Sequence, residues 1–587
     1  MDLSNLLHNR FGINQLGPQR QAEAEFPVAF GSIQDLARHD RVSCTDRSFP
    51  VEEYDGDDIW SRMLYLGDGL DESTDGTERA QLRSRALEEV DVARSRTNSD
   101  FCPPPHPNLG LVVKAGPHLD TKYLIHWQDH VLRALPPVFH ELTAMLQEYQ
   151  AMKNAALAIA ACNLGRSLPE AQVERLSEDR LLTSYRPSRE HQHHSQGYYI
   201  LAIRDLANLP ASYYVSHAIS TLAIMLLFSY IEIGTGSFRG FSMHIHGAEQ
   251  LISTQLPSLS LDATGRKLLG VWTRLRSYQW CQQRPLSWAD FQRSLGLLSS
   301  GDAILWVYDM RRETIIQIFG ESYHLNCISL LVRVPQSIVH ADGEDSGSLF
   351  LGKEGCADQL RHRRDLLTKW HSMLKLYDLP IESFSTRRFE TCAGEESELS
   401  VEPLRFQCHE AAMNYAYYVS SQILQDVHFL DSVPVDGMNG VSGWMRTISP
   451  WTLLLLRIAA GLDHRACAQE NTYTVGITTL LVTCALRCRS LLIGKWIEGW
   501  LGKFRMLSVF EEGCVPTLQA LDILRTVNSE RAEGRDIFFL FDGDGGDNLR
   551  LASYSCQNIT SLHVYGRDRL TSQYFQARIP IQTSQPS

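Results

Sequence analysis

Thirteen cysteines and three short clusters of histidine or aspartate are the residues through which this chain could do chemistry. Cysteines enclose zinc when they come as C-x-x-C pairs, because that spacing aims two thiolates at one metal. The sequence contains no such pair. Cys484 and Cys488 come nearest, one helical turn apart among leucines, and read as thiols of a packed core. An odd number of cysteines scattered over 587 residues predicts reduced, buried thiols of a cytosolic or nuclear protein, not a disulfide framework. His191, His193 and His194 form one cluster, His244 and His246 another. Neither has a cysteine or an acidic ligand at zinc-site spacing, so no metal is assigned to them. Asp542, Asp544 and Asp547 resemble a calcium loop until the positions are counted. Loop position six would be Asp547, where glycine is needed, and position twelve Ser553, where a bidentate glutamate is needed.

Nucleophilic and nucleotide signatures fail in the same way. Gly236-Ser237-Phe238-Arg239-Gly240 and Gly440-Val441-Ser442-Gly443 both miss the G-x-S-x-G elbow. Gly234, Gly236 and Gly240 are glycine-rich enough for a dinucleotide turn, but the residues before them read as helix, and a Rossmann turn follows a strand. A break between two helices is the reading. There is no P-loop and no H-E-x-x-H. The sequence therefore predicts no catalytic residue, no cofactor and no metal ligands: a protein that is not an enzyme.

The elements that would hold these residues are helical. After Pro136-Pro137, apolar residues Val138, Phe139, Leu142, Met145, Leu146, Tyr149 and Met152 recur at helical spacing, and residues 155–165 continue the pattern to a glycine stop at Gly165. Further helical periodicity covers 198–206, 213–233, 238–253, 265–283, 302–333, 357–377, 405–425, 450–461, 475–493 and 515–528. Strand signals are confined to 537–541 and 561–566. No repeat period is evident. The predicted fold is all-α, an irregular multi-helix array, with a helical body over 116–533 and a mixed C-terminal tail over 534–587 that ends in a frayed IQTSQPS. Residues 212–233 are long enough to cross a bilayer, yet carry His217, Thr221 and Glu232 without a flanking basic belt, so a buried central helix is expected and no membrane partner. The N-terminus shows no charged stretch followed by an apolar one, and no secretion is expected.

Residues 1–115 are polar, acidic and turn-rich, closing on Pro103-Pro104-Pro105-His106-Pro107, and are predicted to be a flexible arm. Within them, 49–78 interleaves Phe49, Tyr54, Trp60, Leu64, Tyr65 and Leu66 with ten carboxylates and one basic residue, Arg62. Carboxylates keep such a segment solvated while its aromatics stay available, the composition of an activation segment. A surface helix docked on the protein's own body fits the composition equally. The whole chain carries a formal net charge of −13, which opposes direct approach to a polyanion.

Three stretches, in order, carry a family resemblance. They are YLIHWQDHVLRALPPVFHELTAMLQEYQAMKNAALAIAACNLG (123–165), YYILAIRDLANL (198–209) and STLAIMLLFSYIEIGTGSFRGFSMHIHGAEQLI (220–252). The last joins a leucine-rich helix ending in an aromatic and an acid, a glycine break, and an H-x-x-G-A run from His244. Weaker echoes lie at 270–288, 409–424 and 450–462. Over about residues 120–530 the chain resembles the regulatory domain of fungal zinc-cluster transcription factors. The resemblance implies a transcriptional regulator of the nucleus, often of a specialised-metabolite gene cluster. It departs from the family in lacking the six-cysteine cluster that reads DNA. It therefore implies a partner, either a DNA-binding protein or the transcription machinery, with DNA met only indirectly and a homo-oligomer left open. A regulator acting through a partner, a diverged factor and a sequence without its first exon all fit. The rivals are a helical scaffold or co-regulator and, less favoured, an α-helical biosynthetic enzyme.

Overall fold

The computed structural model describes residues 117–177, 180–282, 305, 310–331, 353–381, 399–426, 449–513, 515–542, 561–571 and 573–581. All of them fall in the larger, Tyr54–Ser587, of the chain's two units. The arm with its segment 49–78, Gly440–Gly443, Asp544 and Asp547 lie outside the described residues.

The fold is all-α, as expected. Its principal helices are α1 (Pro117–His126), α2 (Gln150–Ser167), α3 (Arg189–Ala207), α4 (Ala218–Thr235), α5 (Phe238–Leu261), α6 (Ala263–Gln282) and α7 (Arg311–Leu331). Then come α8 (Lys353–Ser372), α9 (His409–Leu424), α10 (Pro450–Gly461), α11 (Ile477–Arg487), α12 (Leu491–Met506) and α13 (Thr517–Ala532). One hydrophobic core runs from Tyr123 to Leu524. The alanines of α2 explain part of it. Ala155, Ala156, Ala158, Ala160 and Ala161 have no exposed surface, and side chains that small let α2 pack closely against both α3 and α4. At the centre lies α4, where Leu222, Leu226 and Leu227 are fully buried and Ile224, Phe228, Tyr230 and Ile231 nearly so. A helix apolar on every side must be covered on every side. It is the one described helix long and apolar enough to cross a membrane, and 89% of its apolar window is buried inside the protein, the burial of a core helix.

Short strands complete the fold. Antiparallel β1 (Glu170–Ser177) and β2 (Arg180–Arg186) form a two-stranded ladder between α2 and α3. A two-residue ladder, β3 (Glu511–Glu512) with β4 (Val515–Pro516), precedes α13. The antiparallel sheet β5 (Arg535–Asp542), β6 (Ser561–Asp568), β7 (Tyr574–Pro580) packs on α13 through a second small core of Leu486, Val527, Ile537, Leu562, Val564 and Ile579. The buried Arg487 secures it, donating to the Phe538 carbonyl at 2.6 Å and to Asn326 Oδ1 on α7 at 2.7 Å.

Several expected elements end elsewhere. The periodic run after Pro136-Pro137 is interrupted: a short helix Val138–Glu141 and a 3-10 turn Leu142–Leu146 come first, and the extended Tyr149 separates them from α2. Gly165 lies inside α2, whose last residue is Ser167. The helix expected over 213–233 is two, Ala211–Ser216 and α4, broken at His217, whose ring stacks on Tyr213 with centroids 4.1 Å apart. That over 475–493 stops at Arg487 and restarts at Leu491, because extended Cys488 turns the chain. Strands β1 to β4 and β7 were not expected at all, and β4 falls within the helix expected over 515–528.

Candidate functional site

The residues that carried the resemblance converge on a buried polar knot. α4 ends at Thr235, the chain turns through left-handed Gly236 (φ 76°), and Ser237 caps α5 by accepting from the Gly240 amide at 3.2 Å. This turn brings Glu232 at the end of α4 against His244 of α5, both buried. Tyr199 of α3 donates its hydroxyl proton to Glu232 Oε1 at 2.5 Å and also contacts His244 Nε2. A phenol has one proton, so His244 Nε2 carries its own and donates to the Tyr199 oxygen. Gly240 makes the room: a Cβ there would stand 2.3 Å from the Glu232 carboxylate. Burial alone would raise the Glu232 pKa, but hydrogen bonds from His244, Tyr199 and Ser237 outweigh it and hold the carboxyl below its ordinary range. Burial and the neighbouring carboxylate push the Tyr199 hydroxyl well up. The knot ties α3, α4 and α5 together, and in it the H-x-x-G-A histidine is a structural donor. His246, two residues on, is exposed and faces Glu249 at 3.7 Å.

A second polar junction binds this region to the rest. Arg166 at the end of α2 donates through Nε to Glu511 Oε2 at 3.0 Å. Its neighbour Glu512, 1% exposed, accepts from Asn471 Nδ2 at 2.6 Å and from the amides of Ile477 and Thr478 at 3.0 and 2.9 Å. Those two amides open α11, where unpaired N–H groups and the helix dipole favour a carboxylate. Burial nonetheless keeps the Glu512 carboxyl above its usual pKa.

The other histidine cluster sits at the start of α3. Glu190 is exposed, His191 buried and His194 half-buried, and their ligating atoms lie within 4.8 Å of one another. Tyr123 of α1 places its hydroxyl 2.8 Å from Nδ1 of both histidines. Burial lowers the pKa of each ring, with Lys122 adding in the same direction. His193 points to solvent. The sequence reading found the histidines and missed Glu190 and Tyr123. Glu190-His191-x-x-His194 was the available signal, because a residue three and four positions on neighbours both of the earlier ones across one helix turn.

Among the described residues, the buried thiols can do little at neutral pH. Cys162 and Cys327 are pushed up to about 11 by burial, and Cys281, Cys467 and Cys484 further still, so each stays protonated and a poor nucleophile. Cys484 is buried and Cys488 half-buried, both as free thiols.

No curated protein and no solved structure matches the chain. One family does, described as "Fungal specific transcription factor domain", over residues 122–281. That span opens beside Tyr123, takes in α2 to α5 with the Glu232–Tyr199–His244 knot, and stops at the end of α6. It is the family of a transcription factor domain rather than of a catalyst. Over residues 122–281 this chain matches the fungal specific transcription factor domain, and the match supports a fungal transcriptional regulator.

Proposed function

We propose that the chain is a nuclear regulator of fungal gene expression that reaches promoters through a DNA-binding partner and governs a specialised-metabolite gene set. The observation that carries the reading is the domain match over 122–281. Two features of the 587 residues support the indirect route: a net charge of −13, and thirteen cysteines without one C-x-x-C pair. Phosphate neutralisation by basic side chains supplies most of the affinity of a protein that grips DNA itself. In this reading the helical body, residues 116–533, docks the partner, and the acidic-aromatic segment 49–78 contacts the transcription machinery.

Tethering tests it. Fused to an unrelated DNA-binding module, the full chain is expected to raise expression of a reporter bearing that module's site, and residues 49–78 alone to do so too. Replacing Trp60, Leu64 and Leu66 with alanine should remove most of the effect of 49–78 while leaving its charge intact. A tethered full chain that leaves expression unchanged would contradict the regulatory reading. An alanine variant that activates fully would contradict the role given to the aromatics.

A further inference from the structure

We propose that Glu190, His191 and His194 form a binding site for a single divalent transition-metal ion of the zinc type, beside Tyr123, which is hydrogen-bonded to both imidazoles. The site is separate from any cysteine cluster and departs from the metal-free reading of the sequence.

Four observations carry it. First, His194 stands four positions after Glu190 and three after His191 on α3, so its ring neighbours both of the other donors on the helix surface. Second, their ligating atoms already lie within 4.8 Å of one another. Ligands on a tetrahedral zinc stand about 3.3 Å apart, given metal–nitrogen bonds near 2.0 Å. The difference of about 1.5 Å is left for side-chain rotation to close.

Third, Tyr123 fixes one of the two rings in a ligating tautomer. Its hydroxyl lies 2.8 Å from both Nδ1 atoms, but it has one proton to give. At least one histidine must therefore donate from Nδ1 to the phenol oxygen, which leaves that ring's Nε2 with a bare lone pair; a ring that accepts the phenol proton carries its own on Nε2 and ligates there only by exchanging tautomers as the phenol proton turns away. An imidazole held through one nitrogen and free at the other is the usual arrangement behind a bound metal. Tyr123 has no exposed surface, and both histidine rings meet it edge-on with centroids 5.8 and 5.9 Å away.

Fourth, the local charges select the class of ion. Lys122 and the positive end of the α3 dipole both oppose a cation here. A hard ion such as Mg²⁺ or Ca²⁺ would find one carboxylate and two nitrogens it does not favour. An imidazole-seeking ion gains both nitrogens, and exposed Glu190 supplies the remaining protein charge on the solvent side, where water completes the shell.

The test is a titration of the tag-free, full-length, chelator-treated protein with Co²⁺, followed by absorption in the visible and then by displacement with Zn²⁺. One equivalent should bind and be displaced by one equivalent of zinc. His194→Ala and Glu190→Gln should each weaken binding at least tenfold while far-ultraviolet circular dichroism and thermal unfolding without metal stay as in the wild type. Both side chains reach solvent, so neither substitution opens the core. His193→Ala, on the exposed side of the same turn, should bind as the wild type does. The proposal is overturned if no saturable one-to-one binding appears, if His194→Ala and Glu190→Gln titrate like the wild type, or if His193→Ala loses as much affinity as His194→Ala.

Discussion

Leu226→Asp should leave the protein insoluble, or soluble but rapidly cleaved in limited proteolysis, while the wild type stays in the soluble fraction. Leu226 has no exposed surface and sits midway along α4, the helix that the main core surrounds. A carboxylate placed there loses its hydration and gains no cation, at a cost of several kcal/mol. Net stabilities of whole domains are about 5–15 kcal/mol, so one such change removes a large share. Leu226→Met, which keeps volume and apolarity, should lose less than about 1.5 kcal/mol and stay soluble. An aspartate variant as soluble and protease-resistant as the wild type would show that α4 is not in the core. Wild type recovered only from membrane pellets would show that α4 crosses a bilayer instead.

Glu512→Ala should have the next largest effect. The carboxylate answers three donors, Asn471 Nδ2 and the amides of Ile477 and Thr478, and all three are buried with it. A buried donor left without an acceptor costs about 1–3 kcal/mol, so the alanine variant should lose roughly 3 kcal/mol or more in denaturant unfolding. Glu512→Gln is not a silent control. Oε1 accepts from Asn471 and Ile477, and Oε2 from Thr478, so whichever way the amide is turned its NH₂ meets a donor. It should lie between alanine and the wild type. Equal unfolding midpoints for all three would mean that water reaches the α11 amides and that the Arg166–Glu511–Glu512 junction does not hold the matched region to the rest.

Much of this fold was legible in the sequence, because helix periodicity and full burial leave strong local traces. The 450–461 helix matches α10 to the residue, and the run 220–233 announces a buried α4 through its composition alone. Breaks were less legible. Nothing local marks His217 as a stop; its ring stacks on Tyr213, and that contact accompanies the interruption. β1 and β2 escaped notice because Glu170, Glu174, Arg175, Arg180 and Arg186 dilute the alternation that marks a half-buried strand. The expected helix ended at 493 and left out most of α12, where Gly494, Gly499 and Gly502 lower helix propensity although the apolar spacing persists through Ile493, Ile497, Trp500, Leu501 and Phe504, all buried. The polar junctions were the least visible. Glu232 and His244 are 12 positions apart, and Arg166 and Glu511 345 apart, so only the fold brings them together.

Central to the functional reading is that this chain does not select promoter DNA by itself. The direct measurement is a gel-shift series at moderate salt, with purified protein, promoter fragments and nonspecific competitor, run with and without a candidate DNA-binding partner. Reading base edges requires an element delivered into a groove and held there by phosphate contacts. The expected result is no sequence-selective shift by the protein alone, and a supershift of the partner's complex when both are present. A sequence-selective shift by the purified protein alone, surviving competitor, would contradict it.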